Sequence, residues 1–188
     1  MNMKINEFFM VIPKDSFDIT SAVNSMYDMG SWEEIKNKVS SKLFNVFVGM
    51  DMIGVWQGDG WGCIFEGADT LPYIPQAIDL FGTSKMKKAF LSVFELYQDI
   101  MTFCNGNVRL YDIMDFLTST RSYNPDYTPD NEDLKKYTKG EHAKLSQRYH
   151  KRLNALEELP DNNAIWGNET PNNGYESILK YIRENYDV

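Results

Sequence analysis

Few residues in this chain could carry chemistry: His142, His150, Cys63, Cys104, and the stretch Gln57-Gly58-Asp59-Gly60-Trp61-Gly62. The histidines are eight residues apart in a segment of helical period. At 1.5 Å and 100° per residue they stand about 12 Å apart along the axis and about 80° out of phase, which prevents them from sharing one ion. There is no H-E-x-x-H and no C-x-x-C. Asp126, Asp130 and Asp133 lack the glycine and closing glutamate of a calcium loop. The histidines and these aspartates read as solvated side chains, and neither a metal nor a cofactor is expected. Cys63 and Cys104 read as two buried thiols in a reducing compartment. A nucleophilic Cys63 would need a histidine brought beside it by the fold, and there is no G-x-S-x-G serine. Asp59 and Glu66 could pair their carboxyls for hydrolysis, a geometry that spacing alone does not fix.

The glycines fit no phosphate-binding loop. A dinucleotide fingerprint needs G-x-G-x-x-G between a strand and a helix. Counted from Gly58 the sixth residue is Cys63, and counted from Gly60 it is Phe65. No G-x-x-x-x-G-K-[ST] occurs. The stretch reads instead as a structural turn between helices, with Asp59, Gly60, Trp61 and Phe65 as its framework and Trp61 packed beneath it.

The elements around this turn have helical period. Ser31 and Glu34 form a capping-box pattern, followed by Ile35, Val39, Leu43, Phe44, Val46, Phe47 and Met50, which predicts one helix over 32–52. Gly54 to Gly62 should then break it. Leu71 to Phe81 predicts a helix with prolines near its start and Gly82 at its stop. A longer helix capped by Thr83 or Ser84 follows, with Met86, Phe90, Val93, Phe94, Tyr97, Ile100 and Met101 on its apolar face. Val108 to Leu117, apolar on most sides, is expected to be the central helix. A helix over 140–159 carries Leu145, Tyr149, Leu153 and Leu156, and a last one runs from Tyr175 to Tyr186. The fold class is mainly α: a single-domain helical bundle of about seven helices over 1–188. Residues 1–30 form an N-terminal arm or first helix, and 118–131 and 161–174 are long polar loops.

The 188 residues are 43% hydrophobic, enough to build a core and to exclude wholesale disorder. The apolar cluster Phe8 to Ile12 is too short for a signal core, and no apolar run spans a membrane, so a cytoplasmic protein without membrane contact is expected. The net charge of −8 opposes direct nucleic-acid binding. Charge falls in blocks: residues 95–133 hold eight acids and two bases, 134–152 seven bases and one acid, and 153–188 seven acids and two bases. On helices, Glu95 with Asp99, Asp112 with Asp115, and Glu157 with Glu158 are the carboxylates that could line an acidic face. Lys144, Arg148, Lys151 and Arg152 form a basic stripe on one helix.

Gln57-Gly58-Asp59-Gly60-Trp61-Gly62-Cys63-Ile64-Phe65 resembles the signature of a bacterial DNA-mimic-protein-like family, a helical domain of otherwise unknown function. Leu71 to Tyr97, with its break at Gly82, is similar to that family's next two helices, and Tyr175 to Ile182 to its closing helix. The likeness covers roughly residues 32–100 and the last dozen. It implies an acidic helical protein, forming a dimer, that occupies a DNA-binding protein's nucleic-acid surface. The expected function is a non-enzymatic acidic domain that binds a basic protein partner, with a homodimer left open. The alternatives are an immunity or antitoxin-like protein whose hot spot is built on exposed aromatics such as Tyr123, Tyr127 or Trp166, and an enzyme using the glycine-rich turn.

Overall fold

A cluster of N-caps sets most helix starts in the computed structural model, which describes residues 2–67, 69–119, 124–159 and 174–187. Nine α-helices occur among them: α1 Ile5–Phe9, α2 Ser16–Asn24, α3 Trp32–Lys38, α4 Ser41–Glu66, α5 Ile74–Phe81, α6 Ser84–Phe103, α7 Leu110–Thr118, α8 Lys139–Glu157 and α9 Tyr175–Asn185. Single 3₁₀ turns sit at Tyr27–Met29 and Leu134–Lys136. The described residues form no strand. Their one β-type contact is an isolated parallel bridge between Met3 and Val39. The chain is thus an all-α single domain, as the periodicity predicts.

The helix expected over 32–52 is two helices. Val39 is extended (φ −115°, ψ 161°). Met3 N–H donates to the Lys38 carbonyl at 3.1 Å, and Ser40 N–H to the Met3 carbonyl at 2.8 Å. The N-terminal residues thus supply the hydrogen bonds that the broken helix gives up. Ser40 Oγ then accepts from Leu43 N–H at 3.3 Å and starts α4. The predicted box at Ser31 and Glu34 is present and caps α3.

The glycine stretch breaks α4 only at Gly60, where two helical segments meet at a kink. Gly54 and Gly58 stay helical, and only Gly60 leaves the helical region, at φ +79°, ψ −175°. Each glycine costs a helix about 1 kcal/mol relative to alanine, but burial along the rest of α4 outweighs this. Leu43, Val46, Phe47, Val48, Met50, Met52 and Ile53 are all buried. α4 is therefore the central helix, packing against α5, α8 and α9 and also touching α2, α3 and α7. The expected central helix, α7, instead buries one face through Ile113, Phe116 and Leu117 and exposes Tyr111 and Asp115.

The aromatic centre lies where α4, α6 and α8 meet. Phe65 stacks on Phe90 (4.9 Å) and Tyr97 (5.8 Å), and Tyr149 meets Tyr97 edge-on at 6.3 Å. α6 buries Met86, Phe90, Val93, Leu96, Tyr97 and Ile100, close to the predicted face. α8 buries more than its apolar residues: His142 and Ser146 extend that face into the core. No helix among the described residues is long and apolar enough to cross a membrane.

Candidate functional site

The carboxylates expected to line one face are mostly engaged within the chain. Glu95 pairs with Arg152 at 3.4 Å, from α6 to α8. Asp112 receives a two-pronged contact from Arg109, 2.7 Å from Nη2 and 3.0 Å from Nε, which holds its carboxyl below the usual range. Asp115 accepts from the Tyr127 hydroxyl at 3.0 Å and from Ser119 Oγ at 3.2 Å. Tyr127 is half-buried, its ring tilted against His142 at 5.6 Å, so it is not an exposed anchor. Tyr123 and Trp166 lie outside the described residues. Asp99 and Glu158 are exposed on α6 and at the end of α8.

Glu157 has a different task. Its Oε1 accepts the Gly62 N–H at 3.0 Å, across the kink at Gly60. An anion thus closes the backbone donor exposed where α4 restarts. Around the kink, Asp59 is exposed while Trp61 (1% exposed) and Phe65 (0%) are in the core. Trp61 packs beside Trp56 and Phe90, with ring centroids 6.1 and 6.2 Å away. Cys63 follows the kink and is part-exposed. Burial raises its thiol pKa, and Glu66, Asp59 and Glu157 raise it further. These effects suppress the thiolate that a nucleophile needs. Neither histidine is beside it: His142 is 2% exposed with Nε2 at 2.5 Å from the Phe116 carbonyl, and His150 lies on the exposed side of α8. The expectation of a solvated His142 is corrected here, because α7 folds a carbonyl onto its ring.

A concavity involves two residues that motif reading passes over, Tyr27 and Asp51. The Tyr27 hydroxyl donates to Asp51 Oδ1 at 2.6 Å. Burial raises the Asp51 carboxyl, and the Tyr27 hydrogen bond partly offsets this. The same carboxylate and burial push the Tyr27 phenol up. Two hollows share this pair. The larger, about 500 Å³, is lined by Tyr27, Trp32, Asp51, Met52, Val55, Cys63, Ile64, Glu66, Gly67, Asp69, Thr70, Ile74 and Tyr111. The smaller, about 310 Å³, shares Tyr27, Asp51 and Val55 and adds Asp59, Asn24 and Tyr175 among others. Among the described residues, four carboxylates contribute to the two linings, and no lysine, arginine or histidine does.

Each wall has a local cause. Asp51 and Val55 are one helical turn apart on α4 and share a face. The 3₁₀ turn presents Tyr27, held edge-on against Phe47 at 5.0 Å. The kink at Gly60 sets the direction of the segment carrying Cys63, Ile64 and Glu66. One signal in the sequence points here: Asp51 is the lone acid in the apolar run from Leu43 to Val55, where a charge is costly unless it serves something. Among the described residues no three His, Cys, Asp or Glu side chains group so as to hold a metal ion. Compared with known protein families, with characterised proteins and with solved structures, the chain matches none.

Proposed function

We propose that this chain is a cytoplasmic, non-enzymatic binding domain that engages a basic protein partner. The observation that carries this reading is the pair of adjoining hollows around Tyr27 and Asp51, lined among the described residues by carboxylates and aromatic rings without a basic residue. Such a lining attracts cationic side chains by charge and by ring faces. The partner is a DNA-binding protein or a toxin. Glu95, Asp112, Asp115 and Glu157 already have partners inside the chain, which favours recessed recognition over a continuous DNA-like ridge on α6, α7 and α8. Tyr27 (47% exposed) and Tyr111 (58%) contribute rings to the larger hollow, as a toxin-neutralising hot spot requires.

A specific observation also favours the enzymatic alternative: Asp59 and Asp51 line one hollow, and two carboxyls can share acid–base work. The suppressed Cys63 thiol and the distance of both histidines from that lining leave those carboxyls without a nucleophile or imidazole, so binding is preferred. The test is capture of a lysine- and arginine-rich peptide by the full chain over a salt series. Association should slow as salt rises, and Asp51→Asn with Glu66→Gln should weaken it while circular dichroism stays unchanged. Capture insensitive to both salt and these substitutions overturns the reading.

A further inference from the structure

We propose that the larger hollow takes a primary alkylammonium group, borne by a lysine side chain of a partner or by a free aliphatic amine. This rests on the basic-partner reading and narrows it to one chemistry. Three features of the cavity select that chemistry together. Part of its lining is apolar, with Met52, Val55, Ile64 and Ile74 able to flank a methylene chain. Its charged lining is acidic: Asp51 stands on the core-packed α4, while Glu66 and Asp69 are exposed. Aromatic rings of Tyr27, Trp32 and Tyr111 complete the wall and favour a cation over a neutral group of the same shape.

Asp51 decides between the two basic side chains. Tyr27 already holds Oδ1 at 2.6 Å. A guanidinium binds a carboxylate best as a fork on both oxygens, and here it would compete with the tyrosine hydroxyl. An ammonium is a point charge with rotatable donors, and Oδ2 alone satisfies it. Binding also relieves a local cost. Burial raises the Asp51 carboxyl, and a cation beside it replaces lost solvation.

Nuclear magnetic resonance titration of the full chain at low salt tests this, with four small probes: 1,5-diaminopentane, Nα-acetyl-lysine methylamide, Nα-acetyl-arginine methylamide and the uncharged Nα-acetyl-norleucine methylamide. Oligolysine and oligoarginine peptides are titrated in parallel. The expected result is that ammonium probes shift the amides of Tyr27, Asp51 and Val55 and bind about tenfold or more tightly than the guanidinium and norleucine probes. Asp51→Asn should remove that preference, whereas Tyr27→Phe, which frees Oδ1, should raise guanidinium affinity toward that of ammonium. The diamine binding while the lysine amide does not assigns the site to free amines, and the reverse assigns it to lysine side chains. Equal binding of arginine and lysine probes, norleucine binding as tightly as lysine, or shifts away from these amides overturns the inference. If both peptides still bind in a salt-dependent way, the basic-partner reading survives that failure. If the diamine binds and neither peptide does, the inference stands and that reading falls.

Discussion

Asp51 and Gly60 each carry a cost, one from a single side chain and one from a single pair of dihedrals. The Asp51 carboxyl is raised, mainly by burial. The folded chain therefore holds that proton more tightly than the unfolded chain does. The charged form costs stability above the raised pKa, and the cost fades as pH falls through it. Asp51→Asn keeps an acceptor for Tyr27 and removes the charge. Its thermal midpoint should exceed that of the parent at neutral pH, with the gap closing in acid, as scanning calorimetry across pH would report. A lower midpoint at neutral pH contradicts this account. At Gly60 the backbone sits at φ +79°, ψ −175°, a region closed to side chains, and a Cβ there would stand 3.3 Å from the Glu157 carboxylate. Gly60→Ala should cost about 1–3 kcal/mol in urea unfolding. A neutral outcome would mean that the kink relaxes freely.

Helix packing explains why α4 stays helical through Gly54 and Gly58 and gives way only at the Gly60 kink. Its first half is locked by close approach: a Cβ on Gly49 would meet the Phe81 ring of α5 at 2.5 Å. Gly49→Ala should therefore cost about 1–3 kcal/mol through overpacking, despite alanine's better helix propensity. Equilibrium unfolding checks the sign, and stabilisation would show that α5 moves aside at no cost. The second half is anchored by Trp61, which is wholly buried against Phe90. Trp61→Ala should lose about 3–5 kcal/mol, measured the same way. On α8, Thr138 Oγ1 accepts from Glu141 N–H at 3.2 Å while the Glu141 carboxylate accepts from Thr138 N–H at 2.8 Å. This reciprocal cap fixes the start of the helix that supplies both Glu157 and the basic stripe.

Across the molecule, charge is partly neutralised inside the fold. Arg152 turns inward to the Ser92 carbonyl and Glu95, while Lys144, Arg148 and Lys151 stay exposed. The net −8 therefore acts at range through groups other than the paired carboxylates. Reversing Lys144 and Arg148 to glutamate together should speed association with a basic peptide at low salt, and the gain should vanish at high salt. Stopped-flow mixing measures this. If association collapses instead, the basic stripe is itself the contact.

Local chemistry written in neighbouring residues is legible in the sequence itself. The box at Ser31 and Glu34, the stop at Gly82, the buried face of α6 and the all-α class follow from spacing alone, because a helix repeats every 3.6 residues whatever surrounds it. Of the site, only Asp51 stands out in the sequence, as the lone acid of an apolar run; its partners do not. Tyr27 lies 24 residues from its partner Asp51, and Glu157 lies 95 from Gly62. Neither pairing leaves a periodic trace. The break at Val39 depends on Met3 supplying its backbone bonds, and the survival of helix through Gly54 and Gly58 depends on α4 being enclosed by its neighbours. Local propensities are worth about 1 kcal/mol per residue, whereas burying one large side chain contributes about 1.5–3 kcal/mol. Where the two conflict, as they do along α4, long-range packing sets the outcome.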